Sequence, residues 1–289
     1  MGAMARMRSI ADRAEQVLGS AVVATSPVAG GDICISTRLR LTDGRSALMK
    51  TRPNAPAGFF EAEARGLRWL AEAQALPVAE VLAVAADCLI LGWVEPTRPS
   101  AEHAVALGHG LAALHRAGAD AFGNADPGFI GPLPLAAGTT DSWPEFFAAK
   151  RVLPYLKLAA DRGHIGDDDR RAVEEVVARI EKLAGPDEPP ARLHGDLWSG
   201  NVVWTDGPRA VLIDPAAHGG HRESDLAMLA LFGITDLPRL MDAYAEDHPL
   251  ADGWEERQPL HRLFPLLVHA ALFGGGYGAT AGEAARRLL

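Results

Sequence analysis

The sequence predicts an α+β fold in two lobes, a small antiparallel β-sheet lobe with one inserted helix and then a larger, mainly helical lobe. Three observations predict it. The first third of the chain alternates short apolar runs of β type with the turn signals Gly30-Gly31 and Asp43-Gly44, interrupted once by a helical pattern. After residue 100 the apolar residues recur mostly at helical spacing. At 289 residues the chain exceeds the usual single domain, which favours two lobes meeting at a cleft, divided as 1–95 and 96–289.

The elements follow in order. Ser9 to Leu18 has helical spacing and ends at Gly19, a residue suited to a helix C-terminus. Three antiparallel strands come next, near 21–28, 33–41 and 46–52, the last two joined at Asp43-Gly44. From Ala57 to Ala75 an amphipathic helix places Phe60, Ala64, Leu67 and Leu70 on one face. Strands near 79–85 and 88–94 complete the first lobe. The window Ala75 to Val94 approaches membrane-spanning length, but Glu80 and Asp87 interrupt it, so two buried strands and no membrane segment are expected. Pro96 to Ser100 makes a connector. Helical patterns then occupy 101–117, 143–161, 167–184, 222–232, 236–246 and 256–273, with a strand-loop-strand-strand insert between the third and fourth.

Composition narrows the function. The chain has 28 basic and 37 acidic residues, a net charge of −9, and no long run of Lys or Arg, which argues against nucleic-acid binding. Hydrophobic residues at 48% and charged ones at 22% exclude a disordered chain. Two cysteines, Cys34 and Cys88, cannot build a disulfide framework or a cysteine zinc site, and the N-terminus MGAMARMRSI has no apolar signal-peptide run. A cytoplasmic protein is expected.

The chemistry is concentrated between His194 and Asp225. His194-Gly195-Asp196 is followed by Asn201 and then by Asp214, which ends the apolar run AVLI. An H-x-D-x4-N segment followed by a strand-borne Asp is an arrangement used in phosphoryl transfer. One carboxylate, here Asp196, orients and deprotonates the attacking hydroxyl. An amide oxygen from Asn201 and a carboxylate oxygen from Asp214 suit Mg²⁺ better than imidazole or thiolate would. Such a site needs a cation for nucleotide phosphates, and Lys50 at the end of the third strand is placed to supply it. Glu61 and Glu63 on the following helix are its candidate partners. The Gly30-Gly31 turn can turn backbone N–H groups toward phosphates, with Cys34 beside it. It has neither the G-x-G-x-x-G spacing of protein kinases nor a Walker G-K-[ST]. His218 and His221 make a poor zinc signature, and Ser199 lacks the G-x-S-x-G elbow of a serine hydrolase.

These segments resemble one enzyme family over nearly the whole chain, from about residue 20 to the end. GGDICIS, FFEAEARGL, HGDLWSGN, IDPAAHGGHRESDLAML and FGGGYG resemble the glycine-rich turn, F-E-x-E helix, catalytic loop, D-P-A-x-x-x-G-H-x-E segment and C-terminal aromatic-glycine stretch of the fructosamine (ketosamine) 3-kinases. That family sits among the aminoglycoside phosphotransferase and choline kinase group of protein-kinase-like enzymes. The resemblance implies a bilobal protein-kinase-like fold in which 1–95 binds nucleotide and 96–289 carries the catalytic and substrate-binding residues. It implies ATP- and Mg²⁺-dependent phosphorylation of the sugar 3-hydroxyl of ketosamines, free or linked to protein lysines. The 3-phosphate then eliminates and the amine is recovered.

Carried over by motif, Lys50 would contact the α and β phosphates and Glu63, the second acid of F-E-x-E, would pair with it. Asp196 would be the base, and Asn201 and Asp214 the metal ligands. Gly92, Trp93 and Val94 would form the hinge that hydrogen-bonds adenine. His194 would brace the loop, Trp198, His221 and Glu223 would line or support the sugar pocket, and Asp225 would support the catalytic segment. Gly195 stands where protein kinases have arginine, Pro215-Ala216 follows Asp214 in place of Phe-Gly, and no A-P-E segment appears, so regulation by loop phosphorylation is not expected. Two rival readings share the residues: a kinase of an aminoglycoside, choline or another small alcohol, and a nucleotide-binding protein without turnover.

Overall fold

A computed structural model describes residues 3–29, 33–207 and 209–289. Helix α1 (Ala3–Leu18) leads into strands β1 (Val22–Val28), β2 (Ile35–Leu41) and β3 (Ser46–Thr51), then helix α2 (Phe59–Glu72) and strands β4 (Val81–Ala85) and β5 (Cys88–Gly92). The five strands form one antiparallel sheet in the order β1-β2-β3-β5-β4. Alternation along the strands divides the sheet between two helices. Leu39, Leu41, Ala47, Met49 and Ile90 pack with Ala14 of α1. Leu89 and Leu91 pack on the other side with Phe59, Phe60, Ala64 and Leu67 of α2. Lys50, one residue on from Met49, therefore shares the α2 face with Leu48.

The remainder is mostly helical. Helix α3 (Ala101–Arg116) precedes four three-residue strands, β6 (Phe122–Asn124), β7 (Gly128–Ile130), β8 (Leu133–Leu135) and β9 (Gly138–Thr140). Helix α4 (Trp143–Phe146) runs through a π-helical turn, Phe147–Val152, into α5 (Leu153–Asp161), and α6 (Asp167–Ala178) and α7 (Ile180–Leu183) follow. Then come β10 (Ala191–Leu193), a 3-10 turn at Ser199–Asn201, the hairpin β11 (Val202–Thr205) and β12 (Arg209–Leu212), and β13 (His218–Gly220). Helices α8 (Glu223–Phe232), α9 (Leu237–Asp247), α10 (Trp254–Phe273) and α11 (Tyr277–Arg286) complete the chain. The main apolar core of this part lies among α5, α6, α10 and α11. No described helix is long and apolar enough to cross a membrane.

The β11–β12 hairpin is tied to the five-stranded sheet. Leu212 donates its N–H to Pro77 O at 3.0 Å and accepts from Ala79 N–H at 3.0 Å, just ahead of β4. The leading end of that sheet thus holds the hairpin that carries Asp214.

The structure departs from the expected elements in places with physical causes. The helix expected over 143–161 contains a π turn, because Pro154 has no N–H to offer the carbonyl of Lys150 four residues back. The helix expected over 167–184 breaks at Arg179, where ψ moves to 8°. The first helix begins at Ala3. The strands of 122–140 carried no prediction, since three residues are too few to show a period, and α11 escaped because its buried side is alanine and glycine.

Candidate active site

A cavity of about 1060 Å³ opens between the α2 face of the sheet and the helical part, and Lys50, Glu63, Asp196, Asn201 and Asp214 all border it. Lys50 is 5% exposed. Its Nζ lies 2.7 and 2.8 Å from the two carboxylate oxygens of Glu63 and 2.8 Å from Oδ1 of Asp214, joining strand, helix and the far loop through one ammonium. Burial alone would pull the Lys50 pKa down, and the two carboxylates outweigh it and hold the ammonium well above its ordinary value. Of the two acids on α2 considered from sequence, Glu63 is the one that pairs.

The loop bearing Asp196 is built on Gly195 and Asp225. Gly195 has φ +80°, and a Cβ there would stand 2.2 Å from Ala216 O, so only glycine fits the turn. Asp225, fully buried, accepts the N–H of Gly195 at 2.9 Å on one oxygen and that of His194 at 2.8 Å on the other, with His115 Nε2 at 3.4 Å. Burial pushes its pKa up, and His115 with these backbone donors outweighs that and keeps it low. His194 accepts the Asp196 N–H on Nδ1 at 3.2 Å, so its Nε2–H donates to Ile213 O at 2.8 Å. Burial lowers its pKa, and the ring bridges the Asp196 loop to the residue before Asp214.

Asp196 is half-buried, and burial pushes its pKa up to about 7 against the opposing hydrogen bond from Asn201. Asn201 Nδ2 donates to Asp196 O at 2.8 Å and to Asp196 Oδ2 at 3.0 Å. Pairing of Val202 with Leu212, and of Ile213 N–H with Asn201 O at 3.1 Å, returns Asp214 beside Asn201. Asp214 itself takes φ +52°, a left-handed conformation that few non-glycine residues hold and that clusters at functional sites.

The other expected residues divide. Trp198, 40% exposed, borders the cavity, its ring over Gly200. His221 and Glu223 do not border it. Both are buried, Glu223 receives Arg257 at 2.6 and 3.1 Å, and burial drives the His221 pKa down to about 3. They support the fold behind the site. Among the described residues His221, Glu223 and His261 bring possible ligand atoms within 4.8 Å of one another, but Arg257 already occupies both Glu223 oxygens, which disfavours a metal there. His218 turns its Nδ1 to Ala216 O, away from any metal set with Asp214. Gly92, Trp93 and Val94 are not among the residues lining the cavity. Gly92 gives its N–H to Glu80 O at 2.8 Å and Trp93 its N–H to Ser46 O at 3.2 Å, so two of the three expected adenine donors serve the sheet. Gly30 and Gly31 lie outside the described residues.

Sequence reasoning singled out Phe273 and Tyr277 within FGGGYG but gave the far wall no role. Phe232, His269, Phe273 and Tyr277 group there, with His269 centred 4.5 Å from Phe232, 5.7 Å from Phe273 and 5.0 Å from Tyr277. Spacing of four between His269 and Phe273 was the available signal, since it puts both on one face of α10.

Similarity to known proteins agrees with this geometry. The family model described as fructosamine kinase matches residues 6–289. The probable ketoamine kinase of Enterococcus faecium is 34% identical over 260 residues, covering 89% of this chain and 92% of that protein. The crystal structure of a candidate fructosamine-3-kinase from Thermobifida fusca superposes with a TM-score of 0.92 at 49% identity, covering 97% of this chain and 98% of that one. The choline kinase LicA of Streptococcus pneumoniae, 14% identical with a TM-score of 0.62 and coverage of 98% and 99%, shares the fold.

Proposed function

From the premise that this chain belongs to the fructosamine kinase family, and so to the phosphotransferases, we propose that it transfers the γ-phosphoryl group of ATP to the sugar 3-hydroxyl of ketosamines. Fructosamine and ribulosamine adducts, of free amines or of protein lysines, are the substrate class. A phosphate placed at C3, beside the C2 carbonyl, is a leaving group, so phosphorylation leads to release of the amine.

The observation that carries this reading is the Lys50 ammonium held between Glu63 and Asp214, on the wall of the cavity that Asp196 also borders. Lys50 is the point charge for the nucleotide phosphates, and Glu63 fixes its position. Asp196 accepts the proton of the 3-hydroxyl, and burial raises its basicity toward that task. His194 and Asp225 hold the loop by which Asp196 is aimed. Residues 1–95 serve the nucleotide, and 96–289 supply the base and the acceptor pocket.

Asn201 and Asp214 fit Mg²⁺. Asn201 spends its amide nitrogen on Asp196, which leaves its oxygen for a cation, and Asp214 gives Lys50 only Oδ1. Both donors are hard oxygens, and two carboxylates, Glu63 and Asp214, share the one Lys50 ammonium. Bound there, Mg²⁺ would neutralise phosphate charge.

The test is ADP release with fructosyl- and ribulosyl-amines beside free sugars, choline and an aminoglycoside. Release with ketosamines above the other acceptors is expected. Release only with one of the others moves the assignment to that alcohol, and none with any acceptor leaves a nucleotide-binding protein without turnover.

A further inference from the structure

A second cavity, about 20 Å³, shares no lining residue with the first. Trp143, Phe146, Phe147 and Phe264 give it aromatic walls, and Gly195, Asp225, His218 and Arg151 close it toward the catalytic loop and the π turn. Arg151 is 3% exposed. Its Nε has no hydrogen-bond partner, its Nη1 donates to Lys150 O at 3.2 Å, and its guanidinium carbon lies 4.5 Å from the Phe146 ring centre. The Lys150 carbonyl is the one that Pro154 leaves without its helical donor, so the π turn and this inward arginine have a common origin.

Among the described residues no carboxylate forms an ion pair with Arg151. Burial pulls its pKa down to about 10, which leaves it charged at neutral pH. The remaining polar groups make no ion pair with it. Asp225, though ionised, directs its oxygens to the His194 and Gly195 N–H groups, and Glu223 is held by Arg257. His218 and His221, both driven to about 3 by burial, are uncharged, and Ser224 is bonded to His261. A buried cation with no ion-pair partner is a costly feature for a core to keep.

We propose that this cavity is a halide site, in which one chloride ion sits against the guanidinium of Arg151 behind the catalytic loop. The volume suits a guest about the size of one water or one halide. A halide needs few directional bonds and can take up the unpartnered Nε–H of Arg151.

Two measurements test it. Thermal unfolding of the full chain in sodium chloride and in sodium gluconate at equal ionic strength should show a saturable rise of about 2–4 °C in chloride, since gluconate cannot enter. Arg151→Met should remove the difference. Equal melting in the two salts, or the same difference in Arg151→Met, overturns the site. Crystals of the wild-type protein in sodium bromide decide independently of whether that variant folds. An anomalous peak in the cavity beside Arg151 is expected, and a bromide-free cavity, empty or holding water, overturns it.

Discussion

Asp196 titrates under two opposed demands. Burial pushes its carboxyl up to about 7 from an ordinary 3.8, so the proposed base becomes fully ionised only above neutrality. Turnover per substrate capture should rise with pH through about 7 and fall away below it, which a pH profile of kcat/KM checks. The sign for stability is the reverse. The folded carboxyl binds its proton more tightly than the unfolded one, so this residue costs the fold stability as pH climbs from about 4 to about 7. Asp196→Asn should therefore lower kcat by roughly 10²–10⁴-fold while melting no lower than wild type at pH 8. Full turnover in that variant would remove Asp196 from the role of base. Gly195→Ala is expected to fail differently. Its methyl group meets Ala216 O and its φ is left-handed, so both melting temperature and kcat should drop, with nucleotide affinity less affected because Lys50 is untouched.

At the scale of elements, the buried Glu223–Arg257 pair fastens the start of α8 to α10 beneath the site. Arg257→Met strands a carboxylate in the core with only imidazoles for company and should cost about 3–5 kcal/mol in urea unfolding, whereas the double variant with Glu223→Gln should recover part of it. The sequence made the five strands, α2 and the hairpin legible because each carries a period or a turn signal. It made Lys50, Glu63, Asp196, Asn201 and Asp214 legible because their chemistry needs particular residue types at particular offsets. His221 and Glu223 show the boundary of such reading. Histidine and glutamate in a motif look alike whether they face a ligand or an arginine, and only the packing separates the two. The aromatic far wall escaped for a related reason, since its members come from α8, α10 and α11 and meet only after those helices pack.

Across the whole molecule, Lys50 joins parts of the chain 164 residues apart. Lys50→Met should raise the KM for ATP by at least about tenfold and lower kcat as well, and it should also loosen the sheet against the catalytic loop. Hydrogen exchange at Ile213 and Leu212 reads the second effect, with faster exchange expected and unchanged exchange arguing against the coupling. The bonds of Leu212 to Pro77 and Ala79 add a mechanical consequence. If the cleft opens, it turns about this seam, as a lever turns about its fulcrum, and displacement grows with distance from it. Asp214, two residues from the seam, travels little, while residues far from it on the cavity rim, such as Phe273, travel more. If Lys50 and Asp214 serve the nucleotide as proposed, their contact can stay closed while the mouth widens, so a bulky acceptor can come and go without that contact being dismantled at each cycle.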